Sequence, residues 1–77
     1  MGWRTYLVMY FGAKGAKISH LVKKIEELGF SSQLGPVDFV YNWGDSQPTK
    51  AQVFELGDRL TEILDNTGTV FNLDTHD

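Results

Sequence analysis

Trp3 to Phe11 (WRTYLVMYF) is an unbroken run of aromatic, branched and long apolar side chains, largely apolar on both of its alternating faces. Such a run fits a strand flanked by neighbours and covered on at least one side, so it predicts a central strand over 3–11. Gly12 ends it. From Ala16 the hydrophobic period changes, with Ile18, Leu21, Val22, Ile25 and Leu28 at i, i+3, i+4, i+7 and i+10. That spacing is one stripe of an amphipathic helix and predicts a helix over 16–28. Gly29 follows the stripe, where a left-handed helix end favours glycine.

The second half repeats the change of period. Phe30 to Leu34 alternates as a strand over 30–34, Gly35-Pro36 turns the chain, and Val37 to Trp43 alternates as a strand over 37–43. After the loop from Gly44 to Pro48, Thr49 precedes Gln52 by three residues, the spacing of a reciprocal helix-start cap. The helix it opens spans 49–66, with Val53, Leu56, Leu60, Ile63 and Leu64 on its buried stripe and Glu55 and Arg59 as an exposed pair. Gly57 falls on the buried side, which predicts a close approach of this helix to the sheet or to the other helix. Asn66-Thr67-Gly68 ends it, and 69–74 forms the last strand.

These elements make a single α+β domain over 1–77, a two-layer α/β sandwich with two helices on one face of a four-stranded antiparallel sheet. The order βαββαβ resembles the ferredoxin-like, split βαβ arrangement along the whole chain. The resemblance implies two right-handed crossovers that set the first and third strands side by side at the centre. It implies no function, because that fold serves many. The Cys-x-x-Cys of heavy-metal-associated domains is absent, and Val37 to Trp43 lacks the basic aromatic signature of RNA-recognition motifs.

Composition narrows the function classes. The chain of 77 residues has no cysteine, which excludes disulfides, thiolate metal sites and cysteine nucleophiles and suits a cytoplasmic location. The longest apolar run, Tyr6 to Phe11, is too short to span a bilayer, and no membrane partner is expected. The net charge of -3 conceals an asymmetry. Residues 1–24 carry Arg4, Lys14, Lys17, Lys23 and Lys24 and no acid, whereas 25–77 hold all ten acids against Lys50 and Arg59. An acidic chain is repelled by phosphate backbones, so nucleic acid is not an expected partner.

Three places could carry chemistry. The link from the first strand to the first helix holds Lys14, Gly15, Lys17 and Ser19. Its amides from Gly15 to Ile18 lie at the positive end of the helix dipole, where a phosphorylated or nucleotide-like anion could bind. Its spacing matches neither the Walker loop nor the dinucleotide fingerprint, and the competing reading is a solvated turn.

The second place is the sheet face away from the helices. Parity sets Trp3, Leu7, Met9 and Phe11 inward with Phe30, Leu34, Phe39, Tyr41, Phe71 and Leu73. The outward set is Arg4, Tyr6, Val8 and Tyr10, Val40 beside Asp38 and Asn42, and Val70 beside Asn72 and Asp74. Two helices cannot cover this apolar strip, so the expected partner is a second copy or another protein. Solvent, or an aromatic ligand stacked on Tyr6 and Tyr10, is the competing occupant.

The third place is Asp74-Thr75-His76-Asp77, with Asp45 elsewhere. Its residues are metal ligands in type, but near the end of the sequence they read as a frayed polar tail and not as a metal site. His20, among Lys17, Lys23 and Lys24, reads as a solvated surface histidine. No set of groups converges as catalysis requires, since Lys14, Lys17 and Ser19 are the only ones near one another. The expectation is a non-enzymatic interaction domain without a cofactor.

Overall fold

The computed structural model describes residues 2–12, 14–15, 17–32 and 38–77. The elements are β1 (Trp3–Tyr10), α1 (Ile18–Glu27), β2 (Ser31–Ser32), β3 (Phe39–Gly44), α2 (Lys50–Leu64) and β4 (Val70–His76). The strands form one four-stranded sheet in the order β2-β3-β1-β4, antiparallel at every pairing. Among the described residues no helix is long and apolar enough to cross a membrane.

One core lies between the helices and one face of the sheet. Leu7 and Met9 of β1 and Phe39 of β3 meet Leu21 and Ile25 of α1 and Leu56, Leu60 and Leu64 of α2, with Phe30 beside them. Phe11, Tyr41, Trp43, Phe71 and Leu73 pack around this cluster. Leu7, Ile25 and Leu60 have no exposed surface, and burial of each such side chain contributes about 1.5–3 kcal/mol. Trp3 stays half-buried outside the core, because the register between β1 and β3 slips between Trp3 and Arg4. Leu34, also expected inward, lies outside the described residues.

The two helices start differently. Thr49 Oγ1 accepts from the Gln52 amide at 3.1 Å and Gln52 Oε1 accepts from the Thr49 amide at 2.8 Å, which closes the expected capping box. Lys17 caps α1 with no side-chain hydrogen bond, and no acid stands in its first turn. The helix starts at Ile18 and not at Ala16 as expected, because Lys17 is extended with φ -73° and ψ 137°; Ala16 itself lies outside the described residues. At the other end Gly29 has φ +113°, in the region that favours glycine.

Besides shifts of one or two residues at the other element ends, three boundaries differ from the sequence reading. α2 stops at Leu64, because Asp65 turns extended with ψ 134°. The strand placed over 30–34 is described only as Ser31–Ser32, and residues 33–37 lie outside the described set. β4 continues past Asp74 to His76, where Thr75 and His76 pair with Thr5 and Arg4. The segment read as a frayed tail is therefore strand.

Candidate functional site

The face opposite the helices is built by strand register. Tyr6 stands between Val40 and Asp74, Arg4 between Asn42 and His76, Val8 beside Asn72, and Tyr10 beside Val70. Tyr10 is 66% exposed and Val70 64%, whereas Tyr6, Val8 and Val40 are half-buried among their neighbours. A shallow depression of about 420 Å³ lies between Arg4, Tyr6, Ser31, Val40 and Asn42.

Asp38 was assigned to the polar flank of this face, but its carboxylate has another task. Asp38 Oδ2 accepts the Met9 amide at 2.8 Å, and the Asp38 amide donates to the Leu7 carbonyl at 3.0 Å. The residue thus extends the β1–β3 ladder beyond the last paired residues, supplying an acceptor to a backbone donor of the central strand.

His76, expected in a frayed polar tail, stands instead in β4 and on this face. Its ring stacks on Tyr6 with centroids 4.6 Å apart and planes inclined by 21°. Its Nδ1 lies 3.2 Å from the Asp77 carbonyl, and its Nε2 lies 3.7 Å from Asp74 Oδ2. One signal could have found it, since a central strand beginning at Trp3 needs a partner that runs as far. On the core side Thr75 shares a 2.7 Å hydrogen bond with the hydroxyl of Thr5, which also accepts the Trp43 indole N–H at 2.7 Å.

The turn between β1 and α1 is tied down from behind. The Lys14 amide donates to the Thr67 carbonyl at 3.3 Å and the Gly12 amide to Thr69 Oγ1 at 3.1 Å. A methyl group on Gly12 would lie 2.4 Å from the Gly68 carbonyl carbon and 2.5 Å from the Thr67 oxygen, so only glycine allows this approach. The Lys14 amide is therefore engaged within the fold. Gly15, with φ +71°, meets open space, and the side chains of Lys14, Lys17 and Ser19 are exposed. A depression of about 500 Å³ gathers Gly15 and Lys17 with His20, Lys23, Lys24 and Glu27, and leaves Lys14 and Ser19 outside its lining. Ala13 and Ala16 lie outside the described residues.

Among the described residues no group of three or more His, Cys, Asp or Glu side chains is placed to hold a metal ion. Compared with known proteins, the chain finds no significant match among protein-family models, curated proteins or solved structures.

Proposed function

We propose that this chain is a ferredoxin-like, two-layer interaction domain of the cytoplasm that self-associates through the open face of its sheet. The observation that carries the reading is the cross-strand pair Tyr10 and Val70, each about two-thirds exposed at the end of a strip continued by Tyr6, Val8 and Val40. Both helices pack on the other face, so among the described residues no second layer covers the strip. The strand order supports the fold, because read from the other edge it is β4-β1-β3-β2, with β1 and β3 adjacent. A second copy suits the charges as well. Arg4 and Asp74 are diagonal neighbours on this face, opposite charges that a two-fold axis passing between them would set against one another. The absence of cysteine fits the reducing compartment.

Light scattering tests the reading with a matched pair of variants. Tyr10→Glu places a charge on the strip, and Phe54→Glu places one on α2 at a side chain that is also 66% exposed. The parent and Phe54→Glu are expected to associate and Tyr10→Glu to remain monomeric. Equal masses for all three would overturn the interface.

A second reading, a small phosphorylated or nucleotide-like anion beside the β1–α1 turn, is favoured by the convergence of Lys17, Lys23 and Lys24 on one depression with Gly15. With the Lys14 amide engaged, the lysine side chains would supply most of the attraction. Titration with inorganic phosphate and ATP, followed by the amide shifts of Gly15 and Lys17, checks it. Unmoved resonances under both ligands refute it.

A further inference from the structure

We propose that the outer edge of β4 pairs with the same edge of another copy, joining stacked pairs of chains into a closed assembly of four. The inference rests on the open-face association proposed above and adds a second contact between copies. Which backbone groups of β4 are free follows from β1. The Leu7 carbonyl accepts from the Asp38 amide and the Met9 amide donates to Asp38 Oδ2, so both residues turn their backbone groups toward β3. Backbone groups alternate sides along a strand, so Arg4, Tyr6, Val8 and Tyr10 turn theirs toward β4. The Gly12 amide, bonded to Thr69 Oγ1, keeps the same parity. The partners His76, Asp74, Asn72 and Val70 are thereby engaged. Phe71, Leu73 and Thr75 point their N–H and C=O groups the other way, where no strand lies among the described residues.

Edges of this kind are normally blunted by a short strand, a lysine, a proline, a bulge or an inward-pointing charge. β4 has none of these. It runs for seven residues, Val70–His76, without Lys, Pro or Gly, and its register with β1 is unbroken. Its inward positions Phe71, Leu73 and Thr75 are uncharged. Three successive free donor and acceptor pairs on a straight edge are met by another strand, since only a backbone repeats them at that spacing.

The edge complements itself in one register. A two-fold axis at Leu73 pairs Leu73 with Leu73 of the other copy and Phe71 with its Thr75, which gives every free group a partner. On the open face Asp74 then stands opposite Asn72 of the other copy. An axis at Asp74 would set two carboxylates against each other, and an axis at Asn72 would leave Thr75 beyond the end of the other strand. Backbone bonds made in exchange for bonds to water, with little apolar surface added, do not alone outweigh the freedom that two chains lose on meeting. Two copies stacked through their open faces carry two such edges, so two stacked pairs join through two edge contacts at once. Both contacts are two-fold, and the assembly closes at four chains.

Amide hydrogen exchange at micromolar and at millimolar concentration, read by NMR, tests the edge beside sedimentation velocity. The amides of Phe71, Leu73 and Thr75 are expected to slow by about tenfold or more at the higher concentration, as species of four chains appear, while Asn72 and Asp74 are slow at both. Methylating the Leu73 amide nitrogen in a synthesised chain, where that amide has no partner within the fold, is expected to stop assembly at two. Asn72→Asp sets like charges opposite each other and is expected to weaken the step from two to four by about tenfold. An unchanged step in that variant overturns the register. A parent that associates while the three amides exchange equally fast at both concentrations overturns the edge and leaves the open face standing. Protection of the three amides that survives Tyr10→Glu supports the edge and overturns the open face as the prior contact. A chain monomeric throughout overturns both.

Discussion

Trp43 donates its indole N–H to the hydroxyl of Thr5 across a 2.7 Å hydrogen bond, and Thr5 has no exposed surface. The same hydroxyl meets Thr75 at 2.7 Å, so one buried oxygen ties β3, β1 and β4 together at the level of the sheet where Arg4, Tyr6 and His76 emerge on the other side. Thr5→Val keeps the shape and removes the oxygen, leaving the indole N–H without its partner. A loss of about 1–3 kcal/mol in urea unfolding is expected, whereas Thr5→Ser, which retains the hydroxyl, should lose less. Equal losses for the two would show that the hydroxyl contributes nothing.

Gly12 and Gly57 should respond to alanine in opposite directions. At Gly57 the added methyl would meet only Leu73 Cδ1, at an ordinary 3.6 Å, so the close approach expected from the sequence does not require glycine there. Gly57→Ala is therefore predicted to stabilise α2 by about 0.5–1 kcal/mol. At Gly12 the methyl would lie 2.4 Å from backbone, and Gly12→Ala must push β1 away from the α2–β4 turn. Thermal unfolding should show a higher midpoint for the first variant and a lower one for the second.

Lys17 stands at the start of α1 where a side-chain acceptor would normally serve. Lys17→Ser supplies an acceptor to the amides of the first turn and removes a cation from the positive end of the helix dipole, an expected gain of about 1 kcal/mol by chemical denaturation. If lysine is kept there to attract an anion, the same variant weakens ATP binding as it stabilises the fold. A gain in stability with unchanged ATP binding would separate Lys17 from any anion site.

Much of the architecture was legible because it is written in local periods. The stripe from Ile18 to Leu28 and the Thr49–Gln52 box mark the helices, and the alternation of β1 separates Leu7 and Met9 from Tyr6, Val8 and Tyr10. The end of β4 was not legible in this way. Its last inward position is Thr75, a polar residue whose reason for being there is the hydroxyl of Thr5 on another strand. The alternating hydrophobic signal therefore stops at Leu73 while the strand runs on. The turn after β1 shows the same limit, since its glycine and lysines are visible in sequence but the capture of the Lys14 amide by Thr67 is a long-range contact without a local signature.

The central claim, that a second copy covers the open face, is tested most directly by isotope-filtered nuclear Overhauser measurements on an equal mixture of 13C-labelled and unlabelled chains. Intermolecular contacts from Tyr10, Val70 and Val40 to the same strip of the other copy are predicted. Contacts confined to α1 and α2, or none at millimolar concentration, would contradict it.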